Sequence, residues 1–292
     1  MKAVRLRGRA AKRVSPDGTA SVVVAVMADK GGVGKTTAVH NIGAEVAQGG
    51  QSVLLIDADR QADLTELCGL ASEPNIGIDA ILRQVPTPRA DAYVRSVSHN
   101  LDLIGTHPQM RKADRELAQR TRREYALDEA LSALRSRYRL IIVDVGHSEV
   151  VQLNVMAIAD AVVIPTTPAK LDADHIQNML DEITVMRRDL RLPPLLTPGR
   201  VVVSISRRGS RAGIEEAGVS LIRQQFAEFL SPAVVPFTPR MIEASAVHMS
   251  ARAYLKAHGQ SRDRVLGLAV DAYTVLAQQV MSVAPMAVGV PA

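Results

Sequence analysis

The 292-residue chain is 47% hydrophobic and 22% charged, which is typical of a globular protein that buries a sizeable core. Aromatic residues make up only 3% of it and tryptophan is absent, so recognition of single-stranded nucleic acid by base stacking is not expected. Cys68 is the only cysteine, which excludes an intrachain disulfide and a cysteine-ligated cluster and indicates the reducing environment of the cytoplasm. The net charge of +5 is mild, and no apolar run is long enough to predict a membrane span.

The N-terminal segment is strongly basic. The first thirteen residues contain six basic residues and no acidic one, and Pro16-Asp17-Gly18 then predicts a turn. No apolar stretch follows the basic residues, so a secretory signal is not expected. We predict a basic flexible arm over residues 1–20, which is either solvated or adds contacts to DNA phosphates, followed by one domain over residues 21–292.

Residues 29–37 read Asp-Lys-Gly-Gly-Val-Gly-Lys-Thr-Thr and join a predicted strand over residues 21–27 to a predicted helix over residues 38–47. A glycine-rich loop between a strand and a helix start is the setting of a phosphate-binding loop, because backbone N–H groups and the helix N-terminus face the anion. In this pattern Lys35 reaches the β- and γ-phosphates, the Thr36 hydroxyl ligates Mg²⁺ and Thr37 reaches the α-phosphate. The predicted nucleotide-binding residues of the loop are Gly31, Gly32, Val33, Gly34, Lys35, Thr36 and Thr37.

Two residues of this loop distinguish it from the general pattern. Asp29 stands where the general pattern has its first glycine, and Lys30 is a second lysine that an ordinary phosphate-binding loop does not require. With these features the sequence resembles the deviant Walker A class, which includes the ParA and MinD ATPases. The resemblance implies that ATP joins two subunits into a homodimer, that Lys30 of each subunit reaches the nucleotide of the other, and that Lys30 and Lys35 act in catalysis.

A second predicted strand, residues 52–56, delivers Asp57-Ala58-Asp59-Arg60-Gln61 to the carboxyl edge of the sheet, where ligands bind in open α/β folds. Two carboxylates at this place can hold metal-bound water and orient an attacking water. ParA proteins have Asp-x-Asp-Pro-Gln here, and the resemblance assigns Asp57 to the Mg²⁺ shell and Asp59 to the hydrolytic water. Arg60 replaces the proline, which predicts a less rigid loop with an added charge.

The next section has weaker signals. Its pattern predicts a short helix over residues 76–83, a strand over residues 101–104 and a long helical region over residues 109–138. The basic residues of the helical region are diluted by acidic ones, which favours a solvated face, with a DNA or dimer contact as the alternative.

Asp144 ends a short apolar strand, residues 140–143, in the manner of a Walker B carboxylate that anchors the Mg²⁺ shell. ParA proteins continue with Asp-x-Pro-Pro, whereas this chain continues with Val145-Gly146-His147-Ser148. Gly146 predicts a more flexible loop than two prolines would form. His147 is interpreted as a plain loop residue, with a sensor of the nucleotide as the alternative.

The last part of the chain predicts strands over residues 161–165, 201–206 and 233–237, and helices over residues 171–190 and 262–281. The strand that ends at residue 206 opens into a compact basic loop, which suits contacts to the phosphate backbone. After the last strand, Thr238-Pro239-Arg240 resembles a ParA segment that lies against adenine and carries a DNA-binding arginine. The resemblance assigns Pro239 to the base, and the predicted DNA-binding residues are Arg207, Arg208, Arg211 and Arg240.

Together these elements predict an α/β fold, a single-domain twisted and mostly parallel β-sheet with helices on both faces. The resemblance implies a Mg²⁺-dependent ATPase for plasmid or chromosome partition. Its ATP-bound dimer would hold nucleoid DNA without sequence preference, and a ParB-like centromere-binding partner would stimulate hydrolysis.

Three alternatives remain open. A MinD-like ATPase would act on membranes, but the tail after Met281 lacks the basic residues that a membrane-binding amphipathic helix needs, so no stable membrane association is expected. The same ATP switch could position another cargo, such as a conjugation complex, a division site or a protein array. A metabolic ligase with a phosphate-binding loop would not need Lys30. An operator-reading helix-turn-helix domain is not expected, because only the short basic arm precedes the first strand.

Overall fold

The computed structural model describes residues 21–71, 77–84, 90–107, 110–120, 123–169, 172–206, 212–259 and 263–286. The predicted basic arm over residues 1–20 lies outside these ranges, as does the predicted basic loop after residue 206. The strands are β1 Val22–Val26, β2 Val53–Ala58, β3 Arg95–Ser98, β4 Leu101–Ile104, β5 Leu140–Val145, β6 Ala161–Thr166, β7 Val201–Ser206 and β8 Leu230–Val235.

Helices fill most of the connections between the strands in the described part of the chain. The α-helices are α1 Lys35–Gln48, α2 Asp63–Leu67, α3 Ile78–Gln84, α4 Met110–Ala118, α5 Ala126–Leu131, α6 Glu149–Ile158, α7 Asp172–Asp189, α8 Ala212–Phe226, α9 Pro239–Ala246, α10 Ala251–His258 and α11 Arg264–Met281. Short 3₁₀ turns lie at Ala90–Tyr93 and Arg123–Tyr125. None of these helices combines the length and the apolar composition that crossing a membrane would require.

The eight strands of the described residues form one sheet with the order β3-β4-β2-β5-β1-β6-β7-β8, and among them only β3 runs antiparallel to its neighbour. The interior strands begin with apolar runs, such as Val22–Val26 in β1 and residues 140–143 in β5, as expected where helices cover both faces of a parallel sheet. Asp144 at the end of β5 is in register with Val26 of β1 and with Asp57 of β2. The sheet therefore brings the end of β1 and the two predicted carboxylates to one edge.

Helices pack on both faces of the sheet, which confirms the predicted fold class. Alternate side chains of β1 enter two different cores: Val22, Val24 and Val26 pack with α1 and α11, whereas Val23 and Ala25 pack with α3 to α8. This alternation follows from the two-residue period of a strand.

The C-terminal helices are fastened to α1, the helix that follows the phosphate-binding loop. Arg252 of α10 pairs with the buried Glu45 of α1 at 2.5 Å, and Thr274 of α11 donates to the same carboxylate at 2.8 Å. Asn41 of α1 accepts a hydrogen bond from the backbone N–H of Ala251 at the start of α10. These contacts hold α10 and α11 against the middle and the C-terminal half of α1.

The predicted helical region over residues 109–138 is divided into several elements, because its described residues form α4, a 3₁₀ turn and the short α5. Hydrogen bonds to residues of other elements hold the chain in place around the interruption between α4 and α5. Arg120 donates to the carbonyl of Arg83, and Asn154 of α6 accepts from the backbone N–H of Leu127. The predicted last strand over residues 233–237 is also displaced, because pairing with β7 begins already at Leu230.

Candidate functional site

The phosphate-binding loop leads from β1 into an α1 helix that has no side-chain cap. Gly34 precedes the helix with a φ of 94°, and Gly32 has a φ of 73°, both in the left-handed region that glycine adopts without strain. No acidic residue lies in the first turn of α1. The backbone N–H groups of that turn are therefore available to an anion, and the positive end of the helix favours one.

Asp144 provides an unsatisfied carboxylate behind this loop. It is fully buried, and among the described residues neither of its oxygens has a hydrogen bond of normal geometry. Burial raises the pKa of Asp144 to about 6, while the nearby Thr36 hydroxyl and Lys35 ammonium act in the opposite direction. A carboxylate and a hydroxyl are hard oxygen ligands, so Asp144 and Thr36 fit a hydrated Mg²⁺ ion.

Asp57 lies beside Asp144 and is already occupied by protein donors. One of its oxygens accepts from the Thr65 hydroxyl at 2.6 Å and from the Thr65 N–H at 2.9 Å, and the other accepts from the Asp59 N–H at 3.1 Å. Burial and then the charge of Asp144 raise the pKa of Asp57 to about 7, against these hydrogen bonds. Asp57 thus holds the loop that carries Asp59, and its place in the Mg²⁺ shell stays a prediction.

Asp59 is packed against Gly146 of the loop after β5. A Cβ atom at position 146 would lie 2.9 Å from Cα and Cγ of Asp59, so a larger residue does not fit. Asp59 also accepts a hydrogen bond from the Gln61 N–H at 3.1 Å. The sequence predicts that Gly146 makes this loop more flexible. The structure shows a different reason for a glycine here, because only a residue without a Cβ atom can lie this close to the predicted catalytic carboxylate. His147 next to it is exposed.

Lys30 has a partner within its own chain. Its ammonium lies 2.9 Å from Asp172 at the described start of α7, and the side chain of Asp172 is 1% exposed against 44% for Lys30. The other Asp172 oxygen accepts hydrogen bonds from the N–H and the hydroxyl of Thr167. The sequence does not predict Asp172, because an acidic residue near a helix start is ordinary. The role of Lys30 across a dimer interface stays a prediction.

Asp29 has a partner in the same region. Its carboxylate lies 3.0 Å from Nδ1 of His175, and both side chains are partly exposed. The two residues that distinguish this loop in sequence, Asp29 and Lys30, therefore both contact α7.

A cavity of about 450 Å³ extends from the phosphate-binding loop along the start of α1. It lies between the carboxyl ends of β6, β7 and β8, with α9 and α11 as further walls, and its size suits a nucleoside. Pro236 and Phe237 line it before α9, and Met241 and Ile242 line it within α9. Pro239, predicted to contact the base, is the first residue of α9 and is not among the lining residues.

Arg240 has two acidic neighbours. Its guanidinium lies 2.5 Å from Glu243 and 3.6 Å from Asp263, and the Tyr254 hydroxyl donates to the same Glu243 carboxylate at 2.7 Å. Its charge is balanced in this arrangement. The other predicted DNA-binding residues, Arg207, Arg208 and Arg211, lie outside the described residues, so the DNA contact stays a prediction for all of them.

Known proteins resemble this chain over most of its length. A family model described as an AAA domain matches residues 21–193. The chromosome partitioning protein ParA of Caulobacter vibrioides is 31% identical over 266 residues, which cover 89% of this chain and 94% of that protein.

Two solved structures share the fold. A McdA variant from Cyanothece in complex with ATP has a TM-score of 0.73 at 17% identity and covers 91% of this chain and 98% of its own. Cobyrinic acid a,c-diamide synthase from Mycobacterium smegmatis, with a bound ATP analogue and magnesium, has a TM-score of 0.72 at 23% identity and covers 88% of this chain and 93% of its own. The sequence match to the partitioning protein is the stronger of these likenesses and spans nearly its whole length, so the chain belongs to the ParA family of partition ATPases.

Proposed function

We propose that this chain is a Mg²⁺-dependent ATPase that dimerises on ATP and holds DNA without sequence preference in that state, in the service of plasmid or chromosome partition. The observation that carries the proposal is Asp144, a buried carboxylate beside Lys35 and Thr36 without a hydrogen bond of normal geometry among the described residues. A buried anion of this kind is stabilised when a cation joins it.

The triphosphate would lie across the uncapped N-terminus of α1. The backbone N–H groups of Gly31, Gly32, Val33 and Gly34 would surround it, with Lys35 on the β- and γ-phosphates and Thr37 on the α-phosphate. Thr36 and Asp144 would hold Mg²⁺, which neutralises charge on the phosphate oxygens. Asp57 would support this shell from behind, since it is in register with Asp144.

Hydrolysis requires a water molecule aligned with the γ-phosphate. Asp59 would orient that water through its carboxylate. Two contacts hold Asp59 in place: Gly146 packs against it, and its backbone N–H donates a hydrogen bond to Asp57. A carboxylate fixed in this way contributes by positioning the nucleophile.

Dimerisation would exchange one anionic partner of Lys30 for another. In the isolated chain the ammonium contacts Asp172, and in the ATP-bound dimer it would contact the phosphates of the partner's nucleotide. The triphosphate would then bridge two chains, and its hydrolysis would separate them.

DNA binding and the partition role are supported by the ParA relative's name and by the basic residues of the chain. Arg207, Arg208, Arg211 and Arg240 of two subunits would form one surface for phosphate contacts along nucleoid DNA. A ParB-like partner at the centromere would stimulate hydrolysis, and the complex would reside in the cytoplasm on the nucleoid. The same switch with another cargo is the second candidate, favoured by Arg60 and Gly146, where the chain departs from the ParA pattern.

The test compares DNA retention at low salt and molar mass by light scattering with ATP, with ADP and without nucleotide. We expect a dimer that retains DNA with ATP only. Lys35→Ala should abolish this retention because the variant does not bind the nucleotide, and Lys30→Ala should abolish it because the cross-subunit contact is missing. Lys112→Ala, at an exposed lysine of α4, is the matched control and should behave like the unmodified chain. Equal retention in all three nucleotide states, or a monomer with a non-hydrolysable analogue, would contradict the proposal.

A further inference from the structure

Two buried hydroxyl groups stand in the wall of the cavity beside the phosphate-binding loop. Ser204 lies on β7 and is 4% exposed, and Tyr273 lies on α11 and is 5% exposed. Ser204 faces the same side of the sheet as Val202, which packs into the core that contains Tyr273. One strand and one helix thus bring the two hydroxyls to the same cavity.

Neither hydroxyl has a hydrogen-bond partner among the described residues, although neither oxygen is fully enclosed. Two other serines of the cavity differ in this respect. Ser206 donates to the Thr166 carbonyl at 3.2 Å, and Ser245 donates to the Met241 carbonyl at 2.9 Å. A buried hydroxyl without a partner destabilises the fold, so its presence calls for a ligand or a water molecule that completes it.

The other hydroxyls in the described wall have a partner, as in Ser206 and Ser245, or a predicted role at the α-phosphate, as in Thr37. Among the described lining residues there is no carboxylate and no side-chain amide, and most of the surface is apolar, as at Val235 and Ile242. Apolar walls suit the flat faces of a heterocyclic base, while its edge needs hydrogen-bonding groups. A hydroxyl both donates and accepts, so two of them can match an edge that presents a ring nitrogen next to an amino group.

We propose that Ser204 and Tyr273 read the edge of the adenine base, one donating to a ring nitrogen and the other accepting from the amino group. This inference rests on the proposed function, because the base reaches the cavity only when the triphosphate lies on α1. It assigns nucleotide specificity to the side chains of β7 and of the C-terminal helix, in addition to the segment around Pro239.

The experiment measures the dissociation constants of ATP, of purine riboside triphosphate, which lacks the amino group, and of inorganic tripolyphosphate, which lacks the nucleoside. Tyr273→Phe and Ser204→Ala should each weaken ATP binding about five- to tenfold, the effect of one lost hydrogen bond, and leave tripolyphosphate binding unchanged. The preference of the unmodified protein for ATP over purine riboside triphosphate should shrink in at least one of the two variants. Ser282→Ala, at an exposed serine that donates to the Gln279 carbonyl and does not line the cavity, is the control and should bind all three probes normally.

Thermal unfolding without nucleotide separates recognition from folding. Because the two hydroxyls have no protein partner, both variants should unfold at or above the temperature of the unmodified chain. If the variants bind ATP as tightly as the unmodified chain while that chain prefers ATP to tripolyphosphate, the inference is overturned and the proposed function stands. If the unmodified chain binds neither ATP nor tripolyphosphate, the proposed function fails and the inference fails with it.

Discussion

The ammonium of Lys30 lies 2.9 Å from a carboxylate oxygen of Asp172, 142 residues further along the chain. Asp172 is buried and its second oxygen is held by Thr167, so the carboxylate stays fixed while the half-exposed lysine can leave it. In the isolated chain this pair therefore competes with any interaction that Lys30 makes with a second subunit. The strength of the competition is modest, about 1 kcal/mol at most, because solvent screens the lysine.

Removing the competing carboxylate should favour the ATP-bound dimer. In Asp172→Asn the Lys30 ammonium loses its charged partner, so the dimer should form at a protein concentration about two- to fivefold lower with a non-hydrolysable ATP analogue. Sedimentation over a concentration series measures this. Asp174→Asn removes an exposed carboxylate from the same helix and serves as the control. A variant at position 172 that dimerises no more readily than the control would contradict the competition.

Asp57 and Asp144 make the stability of the ligand-free protein depend on pH. Burial raises both pKa values, to about 7 and about 6, above the ordinary value of 3.8 that applies when the chain is unfolded. The folded state therefore binds these protons more tightly than the unfolded state. The corresponding stability is complete below pH 3.8 and is lost as the pH rises through about 6 and then about 7.

Replacing Asp144 by asparagine removes the buried charge and should raise the melting temperature of the ligand-free protein at pH 8. The rise of the pKa from 3.8 to about 6 corresponds to about 3 kcal/mol, or several degrees for a domain of this size. The same variant should lose the extra stabilisation that Mg²⁺ with ATP gives the unmodified chain. Thermal scans at pH 5.5 and pH 8 measure both effects. An unchanged melting temperature at pH 8 would show that the buried charge of Asp144 does not destabilise the ligand-free protein.

Gly146→Ala should impair hydrolysis more than nucleotide binding. The added Cβ would meet Asp59 at 2.9 Å and displace the carboxylate predicted to orient the attacking water. A displacement of this size costs about tenfold to a hundredfold in the rate of the chemical step, while the phosphate-binding loop is untouched. Single-turnover hydrolysis and the dissociation constant of a non-hydrolysable ATP analogue measure the two quantities separately.

Gly267→Ala is the matched control for this change. A Cβ at Gly267 of α11 has nothing within 4 Å, and the residue is helical, so alanine should be neutral or stabilising there. Equal hydrolysis rates in the two glycine variants would mean that the contact with Asp59 has no part in catalysis.

The sequence predicts the elements of this fold that have a local cause. The run Val22–Val26 is apolar throughout because both faces of the strand are covered, and the loop that follows has a motif with few other uses. The sequence does not predict strand β3, because its residues, Arg95–Ser98, are mostly exposed at the sheet edge and do not form an apolar run. The break between α4 and α5 depends on partners such as Asn154, which lies in another helix.

The same distinction holds for the candidate site. The residues of the phosphate-binding loop, Asp59 and Asp144 follow from motifs at strand ends, whereas Asp172, Ser204 and Tyr273 carry no motif. The role of each depends on residues that only the fold brings together. Asp172 forms an ion pair with the distant Lys30, and the hydroxyls of Ser204 and Tyr273 meet in one cavity without protein partners. Gly146 stands between these cases, because the sequence marks it as unusual but only the contact with Asp59 explains it.

The balance of charge around Arg240 makes the predicted DNA contact testable. Glu243 and Asp263 neutralise the arginine in the isolated chain, so binding to a DNA phosphate requires it to leave them. Glu243→Gln should therefore strengthen DNA binding in the ATP state. Arg240→Ala should weaken it and reduce the slope of log affinity against log salt by about one for each subunit that contacts DNA. Titrations at several salt concentrations measure both. Arg188→Ala, at an exposed arginine of α7 that also has an acidic neighbour, is the control. If Glu243→Gln and Arg240→Ala leave both affinity and slope at the level of this control, Arg240 is not part of the DNA-binding surface.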